Sequence, residues 1–351
     1  MDAINILMIG GKRCGKTTVL ASMCNEIGKA LAGTGMSISI RSEQTQNDLQ
    51  RAIANIRQKI DVFKKPLTRV EVDDNPTSAM KTYYFGLRLN ESGKEIPFQI
   101  TDIPGEWLTD SHQAQVKALV HNSQVIMIAI DTPYLFAKMM TDKGYGIYHE
   151  EYNKPMEIAN FFKNSLSTDD LSGRLILFVP IKCERYYHLT HTPELNAFNR
   201  DYMHELVDAI GDGYRELLHY LKSTPQLVTS CTMAITPILS AGGIDFVHFK
   251  TDSATGKVVS LYQRAEFLKE YEQGYAPKFC EQPMIYALTY IIARSIQTNP
   301  PSSSFKGSMH HGSSSKELAY SYEILRKKIK KGTGAYSEDG FLVIQDYKNI
   351  L

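Results

Sequence analysis

The chain has one tryptophan, five cysteines and a formal net charge of only +1 over 351 residues. Each scarcity excludes something. A charge so near zero supplies no strong global field, so neither nucleic acid nor an anionic membrane is expected as an obligatory partner. Cys14, Cys24, Cys183, Cys231 and Cys280 are odd in number, scattered and without a C-x-x-C pair. That argues against a disulfide framework and structural zinc, and for reduced thiols in a cytoplasmic location. No uninterrupted apolar run approaches the roughly 18 to 20 residues of a membrane span. The opening Met1-Asp2-Ala3-Ile4 has no basic segment before a long apolar stretch, so it reads as the start of a strand and not as a secretory signal.

What is present is concentrated at the start. Gly10-Gly11-Lys12-Arg13-Cys14-Gly15-Lys16-Thr17 is G-x-x-x-x-G-K-T, and it follows directly on the apolar run Ile4-Asn5-Ile6-Leu7-Met8-Ile9. A strand, a glycine loop and a helix start in that order predict a phosphate-binding loop for a nucleoside triphosphate. Gly10 and Gly15 let the backbone curl so that the N–H groups of Gly11, Lys12, Arg13, Cys14 and their neighbours point at an anion near a helix N-terminus. Lys16 then reaches the β and γ phosphates, Thr17 sets its hydroxyl on Mg²⁺, and Thr18 follows in the first helical turn among the phosphate-binding residues.

Beyond the loop the pattern alternates. Helices are expected over 17–31, 46–63, 111–122, 194–221 and 284–296. Strands are expected over 37–40, 82–89, 96–102, 125–130 and 175–179, with strand-like character from 227 to 239. The turn-like Asn90-Glu91-Ser92-Gly93-Lys94 makes 82–89 and 96–102 an antiparallel hairpin, whereas the unbroken apolar run at 125–130 suits a central strand covered on both faces. The sum is an α/β fold, a three-layer sandwich with a mainly parallel sheet, carrying insertions at about 133–170 and 244–280. Residues 1–298 form this P-loop domain, 299–315 read as a flexible Ser/Pro/Gly linker, and 316–351 read as a basic helical tail that ends in the apolar Phe341-Leu342-Val343-Ile344. A solvated helix is the simplest reading of the basic run; docking on a partner, on the body or on a peripheral membrane surface stays open.

Asp102-Ile103-Pro104-Gly105 closes the second hairpin strand as D-x-x-G. In a P-loop protein such an aspartate holds Mg²⁺ through a water, and the glycine N–H meets the γ-phosphate. Further on come Ile181-Lys182-Cys183-Glu184 after one strand and Ser240-Ala241-Gly242 after the next. The four motifs in this order resemble the Ras-like, translation-factor (TRAFAC) class of P-loop GTPases, and the D-I-P-G-E form with long insertions resembles its bacterial double-GTPase branch. The resemblance implies GTP as ligand with Mg²⁺ as cofactor, and a base site at Lys182, Glu184, Ser240 and Ala241. It also departs from the class: Glu184 stands where an aspartate is usual and Ile181 where an asparagine is usual, so ATP remains open as the nucleotide.

The expected chemistry is slow hydrolysis of the γ-phosphate, with Lys16 and Glu106 as the catalytic residues. Glu106 occupies the position where the class commonly aims water with a glutamine, and its negative charge calls for a compensating cation such as Lys12 or Arg13. His112 is a second candidate for aiming water. The first-switch metal ligand is Thr77, with Thr82 as the alternative. A nucleotide switch coupled to an unidentified protein partner is the leading reading; a non-hydrolysing nucleotide-bound adaptor and an ATP-using P-loop NTPase are the rivals.

Overall fold

The computed structural model describes residues 3–62, 70–71, 79–109, 111–137, 146–251, 258–265, 274–298, 309–332 and 336–351. The chain runs β1 (Ile4–Gly10), α1 (Lys16–Leu31), β2 (Met36–Ile40), α2 (Glu43–Val62), β3 (Val70–Glu71), β4 (Lys81–Leu89), β5 (Glu95–Asp102), α3 (Gln113–Asn122), β6 (Val125–Asp131) and α4 (Thr132–Ala137). The first insertion follows as α5 (Gly146–Tyr148), a wide turn at His149–Asn153, α6 (Pro155–Asn160), a second wide turn at Phe161–Ser165 and α7 (Thr168–Leu171). Then come β7 (Leu175–Ile181), α8 (Glu184–His191), α9 (Tyr202–Gly213), α10 (Arg215–Ser223), α11 (Pro225–Val228) and β8 (Thr232–Ile235). The hairpin β9 (Ile244–Thr251) and β10 (Val258–Arg264) forms the second insertion, before α12 (Gln282–Thr298), α13 (Met309–Lys328) and β11 (Leu342–Gln345).

Eight strands make the main sheet in the order β11-β8-β7-β6-β1-β5-β4-β2. The five central strands β8, β7, β6, β1 and β5 are parallel, and antiparallel strands finish both edges. Strand periodicity explains why helices cover both faces. Along β6, Val125, Met127 and Ala129 enter the core on one face, and Ile126, Ile128 and Ile130 enter the core on the other. The first core is closed by α1, α12 and α13, and the second by α3, α4, α9 and α10. Each fully buried Leu or Ile contributes about 1.5–3 kcal/mol, so the two cores dominate the stability. This is the three-layer α/β sandwich expected of a P-loop protein. Beside it, β3, β10 and β9 form a small antiparallel sheet.

Several expectations are corrected. The helix expected over 194–221 is two helices, α9 and α10, preceded by a loop. Asn196 pins that loop by bonding the Arg200 N–H and carbonyl, Asp201 caps α9 by accepting the His204 N–H at 2.9 Å, and Tyr214 leaves helical geometry between the two helices. Of the strand-like 227–239, only Thr232–Ile235 is strand, because Pro225 opens a short helix just before it. The linker expected over 299–315 falls partly outside the described residues, and its remainder, 309–315, is already inside α13.

The basic run is only partly solvated: Lys327 and Lys331 are exposed, but Lys328 is not. Lys328 donates to the carbonyls of Ala30 and Ala32 at the end of α1, at 2.6 and 2.8 Å, which satisfies a helix C-terminus with a cation. Leu318, Leu325 and Ile329 are buried in the core that α1 and α12 also line, and β11 joins the main sheet beside β8. Polar composition, the only mark of a linker over 299–315, carries no information about what the following helix can bury.

Candidate functional site

The C-terminal ends of the parallel strands, where ligands of open α/β sheets bind, carry every motif singled out in the sequence. Gly10 ends β1, Asp102 ends β5, Asp131 ends β6, Lys182 follows β7, and Ser240 lies shortly beyond β8. Between β1 and α1 the loop reaches left-handed backbone at Arg13 (φ 62°) and Gly15 (φ 101°), and Gly15 caps α1. This turn curls the loop over the N-terminus of α1, whose first N–H groups face outward. Burial pushes the Cys14 thiol up, so Cys14 stays neutral and offers the site its backbone only.

Lys16 is 4% exposed and donates to the carbonyls of Gly10 (3.2 Å) and Gly11 (3.0 Å), so its ammonium lies inside the loop. Thr17 Oγ1 donates to Asp102 Oδ2 at 3.1 Å, and Asp102 is fully buried. The strand-end aspartate and the helix-start hydroxyl therefore meet across β1 and β5, as the two motifs together predict. A hydroxyl and a carboxylate oxygen are hard donors of the kind Mg²⁺ takes while keeping several waters and phosphate oxygens, so this pair fits that ion.

Gly105 brings the D-I-P-G turn against the loop. A Cβ at that position would lie 2.5 Å from Lys12 N and 2.7 Å from Gly11 C, so no other residue fits without moving the backbone. The next residue, Glu106, forms an ion pair with Lys12, and Lys12 holds the Glu106 carboxyl below its usual range. Both side chains are about half exposed, and such a pair contributes only about 0–1 kcal/mol to stability. His112 caps α3 and stacks on Trp107 at 4.5 Å.

The expected base residues are arranged differently from a plain reading of their motifs. Lys182 is left-handed (φ 59°) and donates to Asp131 Oδ2 at 2.7 Å. Glu184 is 3% exposed, and its Oε1 accepts the N–H groups of Ala241 (2.8 Å) and Gly242 (3.4 Å). Burial raises the Glu184 pKa, and those two amides pull it back down. Ser240 and Ala241 are themselves buried; the Ser240 carbonyl accepts Ser22 Oγ at 3.1 Å, and the Ala241 carbonyl accepts the Ala276 N–H. So Glu184 bonds Ala241 and Ser240 bonds Ser22 of α1, whereas Lys182 turns to Asp131. Thr82 lies on β4 with its hydroxyl 3.2 Å from that of Thr101, a cross-strand pair. Thr77 lies outside the described residues.

Two residues were not singled out from the sequence. Asp131 holds Lys182, and Asn153 of the first insertion clasps the Asp131 backbone, accepting its N–H at 2.8 Å and donating to its carbonyl at 3.0 Å. The terminal Asp of an apolar strand is a readable signal; Asn153 has none, because the insertion must fold before it meets β6. The same insertion lays the Tyr152 carbonyl against Gly11, where a Cβ would come within 1.6 Å. Tyr134 stacks between Tyr152 (4.3 Å) and Phe249 (4.8 Å), which locks the two insertions together beside the phosphate loop.

Fold and loop together define a P-loop nucleoside-triphosphate-binding protein. Residues 4–145 match the model of the Double-GTPase 2 family. Among solved structures it overlaps a bacterial dynamin GTPase from ETEC, LeoA, at 12% identity and a TM-score of 0.31. That overlap covers 93% of this chain and 38% of the other. No curated protein matches the chain. Among the described residues no helix is long and apolar enough to cross a membrane.

Proposed function

We propose that this GTP-binding P-loop protein binds GTP with Mg²⁺ at the loop 10–17, hydrolyses it slowly, and works as a switch toward a protein partner. The observation that supports this best is the junction of the two phosphate motifs: Thr17 bonded to the buried Asp102, with the Lys16 ammonium inside the loop. Thr17 and, through water, Asp102 would hold Mg²⁺, which neutralises phosphate charge when bound. Lys16 and the loop N–H groups bind and orient the triphosphate, and Gly105 presents its N–H beside it. Glu106, the ion-pair partner of Lys12, is the carboxylate placed to orient the attacking water.

The interlocked insertions are the surface through which a partner would sense the loop, since Tyr152 touches Gly11 and stacks on Tyr134. The tail is a weaker candidate for an anionic membrane, because Lys328 is spent on α1 and Lys330 lies over the Phe279 ring at 4.9 Å.

One observation favours a second reading in which ATP is used. Glu184 already occupies the Ala241 and Gly242 amides, and an amide so engaged does not donate to a purine oxygen. Competition between GTP and ATP decides: a preference for ATP of about tenfold, or 1.4 kcal/mol, removes the guanine assignment. Single-turnover phosphate release, with Lys16→Ala as the control, tests hydrolysis. Release no faster than the control with GTP still bound would leave the non-hydrolysing adaptor in its place.

A further inference from the structure

Lys12 and Glu106 face each other across the mouth of the phosphate loop, Lys12 from the loop itself and Glu106 from the turn Gly105–Leu108 that follows Asp102. The backbones under them are in contact, as the 2.5 Å from a Gly105 Cβ to Lys12 N requires. The side chains are not locked: their exposures are 48% and 52%, so water competes for both charges and the pair exchanges at little cost. A γ-phosphate held by the loop amides and Lys16 presents more negative charge to Lys12 than one carboxylate does, whereas a diphosphate ends deeper in the loop. Resting on the phosphate-site reading above, we propose that Lys12 distinguishes a triphosphate from a diphosphate by leaving Glu106 for the γ-phosphate, and that Glu106 holds Lys12 until that exchange frees it toward the attacking water.

The exchange has a built-in reporter. Trp107, next to Glu106 on the same turn, is the only tryptophan of the chain and stacks on His112 with planes 10° apart. A ligand shifts such an equilibrium only by its differential affinity for the two arrangements, so GTP and GDP must differ in their effect on this turn.

The test uses the full chain with Lys12→Met and Glu106→Gln, two substitutions at half-exposed positions that leave both cores untouched. Equilibrium binding of GTPγS and of GDP is measured with Mg²⁺, together with Trp107 emission. Lys12→Met is expected to lose about tenfold or more of its GTPγS affinity while GDP affinity stays within about threefold. Glu106→Gln is expected to move the other way, gaining GTPγS affinity, because Lys12 no longer has a partner to leave. Wild-type Trp107 emission changes with GTPγS and not with GDP, and Lys12→Met abolishes the change. A merely structural clasp weakens binding whichever side is cut, so two variants that shift GTPγS affinity in the same direction overturn the proposal. Equal effects on both nucleotides also overturn it. If wild type binds neither nucleotide, the phosphate-site reading falls and takes this one with it; if wild type binds both and Lys12→Met is unchanged, only the exchange fails.

Discussion

Glu184 Oε1 accepts the Ala241 N–H at 2.8 Å, tying the start of α8 to the loop beyond β8 in the interior of the protein. Glu184→Ala removes the acceptor of two buried amides, and leaving such donors unsatisfied costs about 1–3 kcal/mol. Glu184→Gln keeps a carbonyl oxygen at the same reach. Urea unfolding should therefore show a lower midpoint for the alanine variant and a midpoint near wild type for the glutamine. Equal losses in both would mean that the carboxylate charge, and not its role as acceptor, stabilises the loop.

Asp102 is fully buried, and an ionised carboxylate removed from water is costly, so on the metal-site reading its charge would serve Mg²⁺ and not the fold. Asp102→Asn keeps the shape and drops the charge. The variant should be as stable as wild type or more so, yet should lose about 10- to 100-fold in the Mg²⁺-dependent part of GTP binding, the range seen when outer-sphere partners of a metal are removed. Titrating GTP affinity against Mg²⁺ in both proteins measures it. Retention of the full Mg²⁺ effect would take Asp102 out of the metal site.

What could be read from the residues beforehand follows a physical divide. The strand, loop and helix around Gly10 to Thr17 and the strand end at Asp102 were legible because the phosphate-loop pattern imposes fixed spacing on contiguous backbone. Strands β6 and β7 were legible because a strand covered on both faces needs an unbroken apolar run. That Glu184 follows the strand β7 was legible, but its bonds to Ala241 and Gly242 depend on two loops meeting across 57 and 58 residues of sequence, which no local pattern encodes. The tail misled for a related reason. Lysines such as Lys328 bury their stems along apolar surface and spend their charge on distant carbonyls, and composition cannot separate that from solvation.

Leu325 on α13 is fully buried in the core it shares with α1 and α12. If the tail is part of the cooperative unit, Leu325→Ala lowers the stability of the whole chain by about 2–5 kcal/mol, the usual cost of a cavity of that size. Thermal unfolding followed by far-UV circular dichroism should show one transition displaced downward. A main transition left in place, with a small early one split off from it, would show that residues 309–351 fold as a separate appendage.

The last attachment of the tail is electrostatic and carries its own pH dependence. His191 of α8 contacts Asp339 at 2.8 Å, just before Phe341 enters the core. The hydrogen bond to Asp339 raises the imidazole above its ordinary value of 6.5, against the opposing effect of burial, and the same bond lowers the Asp339 carboxyl. A raised histidine stabilises fully below its unfolded value and loses that contribution as the pH climbs through its higher folded value. A lowered aspartate stabilises above its unfolded value and loses that contribution only in acid. On the alkaline side, hydrogen-exchange protection at Leu342–Gln345, corrected for intrinsic rates, should therefore fall as the pH rises from about 6.5 toward 9. In His191→Gln the profile over that range should be flat and start lower, because glutamine bonds Asp339 without carrying a charge. An identical decline in wild type and variant would assign the pH dependence to other groups and leave this pair without a part in holding β11.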